Sequence, residues 1–394
     1  MKWRRRHFCP VKITCTIKPS LFRIRMTGLV FLAMIVPLFY FWSHQDRLPG
    51  HGGQYKKNLA YIRGFHSPNG ETNQSRSTQA EGTAGEAGGE VGGGVMWPWD
   101  SMSTKNSLQK EKGVGERLSA QSYRYNLNEP FKCRDSTPFL ILLITTEPGQ
   151  ADARNAIRQT WGNESVAMGL GFVRLFLLGT RNSSDTSLQS SIEEESRVYH
   201  DIIQQDYQDT YYNLTIKTLM GMNWVATYCP HASYVMKTDG DMFVNTEYLI
   251  QKLLKPEVPP KQRYFTGFLM MDYSPIRDKD SKWYMPPEVY PGERYPTFAS
   301  GTGYVFSGDV AELVYQASLS IPRLFLEDVY VGMCLAKWRI DPVAPPNNDL
   351  FNPVKVPYSS CKYSQLITSH WFQPNELIKY WNDLQINKHN ACAI

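Results

Sequence analysis

Acidic residues are missing from the first 25 positions, where Lys2, Arg4, Arg5, Arg6, Lys12, Lys18, Arg23 and Arg25 stand alone. From Met26 to Trp42 charge of either sign is missing, and the run is mostly Leu, Phe, Ile, Val and Met. Together these absences argue against two targeting peptides. A cleaved secretory signal would have a shorter charged region and a small-residue cleavage site, which Tyr40-Phe41-Trp42 does not supply; a mitochondrial transit peptide would not hold so continuous an apolar stretch. Seventeen helical residues reach about 25 Å, the low end for a bilayer, which thin secretory membranes tolerate. The reading is a cytosolic tail over 1–25 and a transmembrane signal anchor over 26–43. Basic residues before the span and not after it put the remainder in the lumen.

Three further shortages narrow the class. The formal net charge is only +5, and much of it sits in the tail, so no nucleic-acid surface is expected. Closely spaced cysteine pairs are lacking. Cys9 and Cys15 fall on the cytosolic side, while Cys133, Cys229, Cys334, Cys361 and Cys392 are scattered beyond the span. That spacing argues against zinc and for disulfides in an oxidising compartment, with at least one thiol left over. Core-forming side chains are lacking around Gly82–Gly94, a Gly-rich stretch that cannot bury a core, so 44–130 reads as a flexible lumenal stem interrupted by Trp97-Pro98-Trp99. No internal repeat is evident. Asn-x-Ser/Thr sequons at Asn73, Asn163, Asn182 and Asn213 fit lumenal exposure.

What is present is a folded domain over 131–394. Phe139–Ile144 is a continuous apolar run of strand length, as in a parallel sheet covered on both faces. Pro148 precedes a helix over Gln150–Trp161, Phe172–Leu178 is a second strand, and Glu193–Tyr199 and Asn213–Tyr228 read as helices. Strand Tyr234-Val235-Met236 is followed by another helix after Asn245, and Pro374 opens the last one. Strands alternating with helices predict an α/β fold with a mostly parallel central sheet, in which ligands sit at the carboxyl ends of strands.

Asp239 and Asp241 fall at that end of their strand. Side chains two apart in an extended segment face the same way, so both can reach one ligand, and a hard divalent ion such as Mn2+ or Mg2+ is the natural partner. A solvated turn is the other reading of Asp-x-Asp. Arg154 and Arg158 share a helix face behind a strand end, which suits a nucleotide diphosphate or a plain basic surface. The glycines of Ser300-Gly301-Thr302-Gly303 precede a strand and permit close backbone approach to a ligand, or a structural turn. Glu327-Asp328 opens an apolar helix, either complementing its dipole or supplying a general base. His370 is a structural histidine or the imidazole completing a carboxylate metal site. Trp283 and Tyr284 serve an acceptor sugar or the core.

Lys237 through Asp241, Arg154 through Gly162, Ala299 through Ser307 and Glu327 through Tyr330, taken together, resemble the beta-1,3-glycosyltransferases of family 31. The likeness covers the chain from Pro138 onward plus the tail and anchor, with the stem matching poorly. It implies a GT-A type nucleotide-sugar-binding fold, a Golgi membrane location, UDP-galactose as donor and a GlcNAc-terminated glycan as acceptor. By position, Asp241 and His370 would be metal ligands for Mn2+, with Asp239 facing the ribose and the metal shell. Arg154, Arg158 and Gly301 would lie against the nucleotide, and Asp328 would be the catalytic base. Two positions depart from the family pattern: Gly240, where Asp or Ser is usual, and Ala299, where Cys is usual. The second would orphan a partner cysteine. A sister enzyme transferring N-acetylglucosamine and a non-catalytic lumenal glycan-binding protein are the alternative readings.

Overall fold

The computed structural model describes residues 123–392, apart from 168, 182–185 and 389. The expected tail, anchor and nearly all of the stem, with Asn73 and Asn182, lie outside the described residues. Among the described residues no helix is long and apolar enough to cross a membrane.

Seven strands form the main sheet: β1 Tyr125–Leu127, β2 Leu140–Thr145, β3 Phe172–Thr180, β4 Ile202–Gln208, β5 Tyr234–Asp239, β7 Phe265–Met270 and β8 Phe298–Ser307. A two-stranded ribbon pairs β6 Phe243–Val244 with β9 Thr368–Ser369. The main helices are α1 Ala151–Gln159, α2 Thr186–Tyr199, α3 Leu214–Tyr228, α4 Gly308–Ser318, α5 Glu327–Lys337 and α6 Pro374–Asn387. Sheet order is β1-β4-β3-β2-β5-β8-β7.

The expectation of a mostly parallel sheet needs correction. β2, β3, β4 and β5 run parallel, but β1, β8 and β7 each pair antiparallel with their neighbours, so the sheet is mixed. Within the parallel centre β2 is apolar up to Thr145, since a strand covered on both faces needs no alternation, whereas β3, β4 and β5 also carry Arg174, Gln204 and Lys237. β1 also moves the start of the folded unit ahead of residue 131, because Tyr125 and Leu127 pair with β4. The glycines at 301 and 303 lie inside β8 and do not precede it.

Alternation along each central strand sends its side chains into two cores. Ile141, Leu143, Leu177 and Val235 pack with α3, α4 and α5 on one face. Leu140, Leu142, Ile144, Phe176 and Met236 pack with α1, α2 and α6 on the other. The result is three layers, helix on sheet on helix.

Two features of this frame position the site. β2 is flanked by β3 on one side and β5 on the other, so the chain reverses its direction of progress across the sheet there. At such a switch point neighbouring loops diverge and leave a crevice beyond the strand ends. Thr145 and Asp239 are register partners at that spot. Second, the β6–β9 ribbon folds the C-terminal segment back, so that Asp241, just before β6, and His370, just after β9, meet. The backbone N–H of Phe372 donates to the Asp241 carbonyl at 2.8 Å, and Trp371 takes a left-handed φ of 65°, an uncommon conformation for a bulky residue that turns the chain immediately after the imidazole.

Among the described residues, disulfides join Cys133 to Cys229 and Cys361 to Cys392, leaving Cys334 free and buried, as an odd count of five requires. Burial pushes the Cys334 thiol well above its ordinary pKa, so it is an inert core group.

Candidate active site

Asp239, Asp241 and His370 come together, with ligand atoms from all three within 4.8 Å of one another. His370 Nδ1 is 3.0 Å from the Pro353 carbonyl, which can only accept, so Nδ1 carries a proton and Nε2 faces the carboxylates. Nε2 lies 3.2 Å from Asp241 Oδ2. A neutral imidazole and a carboxylate present lone pairs to each other at that distance, an arrangement that calls for a cation between them or a proton on the ring. Burial works against the charged ring, but Asp241 and Asp239 outweigh it and hold the His370 pKa above its usual value. Two carboxylates plus one imidazole with its distal N–H anchored to a carbonyl form a donor set suited to a divalent ion such as Mn2+.

Asp239 is kept ionised by a residue that the sequence reading quoted but gave no role. Lys237, two positions earlier on the same face of β5, places Nζ 2.9 Å from Asp239 Oδ1 and 2.6 Å from the Gly301 carbonyl. It also lies 3.5 Å from Glu327 Oε2. Burial opposes the ammonium charge, yet Asp239 and Glu327 more than offset this and raise its pKa. In return, Lys237, with help from His370 and the Thr145 hydroxyl (2.8 Å), overcomes the burial of Asp239 and holds its carboxyl below the ordinary range.

Gly301 connects this cluster to Asp328. Its carbonyl accepts from Lys237, and its N–H donates to Asp328 Oδ2 at 3.2 Å. A Cβ at position 301 would stand 3.0 Å from Glu327 Oε2 and 3.5 Å from Asp328, so a side chain would crowd both acids. Burial, followed by the charge of Glu327, pushes the Asp328 carboxyl up to about 6, against the pull of hydrogen bonds from the Val329 and Gly301 N–H groups. A carboxyl group with a pKa near the working pH is suited to accept a proton from a hydroxyl. Glu327 is spent structurally: Oε1 accepts from the Tyr304 hydroxyl at 2.6 Å.

The two arginines have a different placement from the expected one. Arg154 is fully buried; it donates to both oxygens of Glu195 and to the carbonyls of Glu147 and Pro148. Arg158 donates to Asp201, Glu195 and the Asn155 side chain. Neither guanidinium stands free for a diphosphate. Arg154 instead pins the loop that follows β2 at the switch point, and Arg158 shares Asp201 with Arg174. Asp201→Asn removes the buried carboxylate that two guanidiniums share, leaving their charges with only Glu195 and neutral partners, and is expected to lower unfolding stability by about 3–5 kcal/mol, read by chemical denaturation. A loss under 1 kcal/mol would contradict the network.

Gly240 has a steric reason. A Cβ there would meet Thr146 Cγ2 at 2.6 Å, so the Thr146 methyl already fills the space a side chain would need. Asn163 is exposed, its side-chain oxygen accepting from Ser165. Asn213 instead donates to the Gln208 carbonyl at 2.8 Å, and Thr215 of the same sequon donates to the Leu324 carbonyl. Trp283 is half-buried against the core, and Tyr284 lines a cavity near Phe325.

The Galactosyltransferase family model matches residues 152–346, and a Beta-1,3-galactosyltransferase 2 N-terminus model matches residues 63–141. Beta-1,3-galactosyltransferase 2 of Homo sapiens is 58% identical over 406 aligned residues, covering 100% of this chain and 96% of that protein. Beta-1,3-galactosyltransferase 1 of Mus musculus is 51% identical over 275 residues, covering 70% of this chain and 82% of its own length. A solved galactosyltransferase, LgtC in complex with donor and acceptor sugar analogs, overlaps at a TM-score of 0.31 with 10% identity, covering 64% of this chain and 97% of that one, too loose a superposition to argue from.

Proposed function

This chain belongs to the galactosyltransferase family, and on that premise we propose that it transfers galactose from UDP-galactose, with inversion, to the 3-hydroxyl of a terminal N-acetylglucosamine on a glycan. The observation that carries the proposal is the pairing of Asp328, its carboxyl pushed up to about 6, with the Asp239–Asp241–His370 cluster across Gly301 and Lys237.

Asp328 takes the acceptor hydroxyl proton as that oxygen attacks the anomeric carbon from the face opposite UDP. The bond from that carbon to the diphosphate breaks, and its electron pair leaves with UDP. One carboxylate therefore does the proton transfer, unlike the acid and base pair of a glycosidase. A divalent cation held by Asp239, Asp241 and His370, Mn2+ in this reading, would act as a Lewis acid that offsets charge on the departing diphosphate. Lys237 keeps Asp239 ionised and ties the Gly301 backbone to it, so base and cation ligands hold one relative position. The crevice at the β2–β5 switch point, where Asp239 stands, suits the nucleotide in a GT-A type arrangement.

The charge-free run at 26–42 behind a basic tail supports a single-pass type II membrane protein with the catalytic domain lumenal, and the family resemblance adds the Golgi as its location. The names of the relatives favour galactose over N-acetylglucosamine as the sugar moved. The test is a donor scan on the full chain in detergent with a GlcNAc-terminated acceptor, with and without Mn2+. UDP-galactose turnover that requires the cation is the expected result. Preference for UDP-N-acetylglucosamine, or full turnover in a chelator, would overturn the reading.

A further inference from the structure

A cavity of about 460 Å³ opens beside the catalytic base and shares no residue with the cluster that would hold the cation. Its walls come from Tyr212 and Asn213 just before α3, the 279–289 segment and the 323–325 segment that leads into α5. Phe325 and Leu324 line it three and four residues before Asp328, and the Tyr212 ring packs on Phe325 with centroids 5.4 Å apart. The adjacent Tyr211 feels both sides of the site: burial first, then the charges of Asp328 and Asp239, raise its pKa. This volume falls in the range of small-ligand sites.

The lining has an uneven composition. Three cations, Lys279, Lys282 and Arg323, contribute to it and no carboxylate does. The acids of the same segment, Asp278, Asp280 and Glu288, are not among the lining residues. Lys282 Nζ sits 4.9 Å from the Trp283 ring centroid and 5.5 Å from that of Tyr211. Lys282 stays solvent-exposed, and these rings remove only part of its water, a partial desolvation that holds its pKa below the usual lysine value. Tyr212, Tyr284 and Phe325 add apolar faces on which sugar C–H groups can stack. A neutral glycan would use these rings alone and leave the three cations to solvent. An anionic one would use both.

We infer that this cavity is an acceptor-side subsite for a glycan bearing an anionic substituent, a sulfate or a carboxylate, which Lys279, Lys282 and Arg323 recognise while the neighbouring rings hold the sugar. The inference rests on the galactosyl-transfer reading and adds the class of acceptor to it. A diphosphate is not proposed for this cavity, because the residues that would hold its divalent counter-ion, Asp239, Asp241 and His370, do not line it.

The experiment compares kcat/KM of the full chain in detergent on matched GlcNAc-terminated acceptors: neutral, sulfated and carboxylate-bearing. At low ionic strength an anionic acceptor is expected to exceed the neutral one by roughly tenfold, with the advantage shrinking as salt screens the charges. The two anionic arms show whether sulfate or carboxylate is taken. In Lys282→Gln, Arg323→Gln and the Lys279→Gln/Lys282→Gln double variant, the ratio of anionic to neutral kcat/KM should fall toward one. Because the ratio is taken within a single preparation, loss of folded protein cancels. Equal use of all three acceptors by the unaltered protein, or a preference that persists in the variants, overturns this subsite while leaving galactosyl transfer standing. Failure to galactosylate any acceptor overturns the underlying reading instead.

Discussion

Asp328→Asn is expected to lower kcat/KM for galactosyl transfer by about 10^3-fold at neutral pH, within the range a positioned general base supplies. The unaltered protein should show a matching pH profile. Burial and Glu327 push the Asp328 carboxyl up to about 6, and the base works only as the carboxylate. Activity should therefore fall as pH drops through 6 and level off above about 7, a limb absent from the residual activity of the Asn variant. Stability moves the other way. A carboxyl whose folded pKa lies above its unfolded value favours the fold while protonated and loses that contribution as pH rises through the folded pKa. Removing the charge should leave the variant at least as stable as the parent at pH 7.5. A thermal melt showing loss of fold together with activity would point to a structural role for Asp328, and full turnover in the variant would remove it as the base.

His370→Ala should raise the Mn2+ concentration needed for half-maximal activity by at least about 100-fold, since even partners that merely orient a ligand account for 10- to 100-fold. The same titration has a pH signature. Asp241 and Asp239 hold the ring pKa above its usual value in the cation-free protein, so a proton and the cation compete for Nε2. Apparent Mn2+ affinity should weaken as pH falls through that raised value, and His370→Ala should lose this dependence. An unchanged activation curve in the variant would remove His370 from the site.

Much of this arrangement was legible in the residues. Leu140–Ile144 is apolar throughout because β2 is covered on both faces. Asp239 closes β5, where the i and i+2 rule applies, but Asp241 lies in the turn beyond it. Lys237 obeys that rule too, and its pairing with Asp239 could have been read from the sequence; what could not is the Gly301 carbonyl, which arrives from β8. Arg154 and Arg158 show the limit of reading one element at a time. Their shared helix face was evident, but Glu195 and Asp201, which consume them, come from α2 and the start of β4. A strand was read after Gly303, but the first part of β8 was missed because Gly301 and Gly303 look like loop residues, although they are small because Glu327, Asp328 and Thr238 press against that strand. The meeting of His370 with Asp241 depends on two-residue strands, too short to leave a periodic pattern; residue chemistry left His370 as a ligand or a structural histidine, and the family resemblance favoured the ligand.

The account depends most on a single imidazole sharing a cation with the two aspartates. Electron spin echo envelope spectroscopy of Mn2+ bound to the full chain with UDP reads directly whether nitrogen lies in the coordination sphere. One histidine nitrogen coupling, lost in His370→Gln while the protein remains folded, is the predicted result. Manganese bound with no nitrogen coupling, or a coupling that survives in His370→Gln, would contradict it.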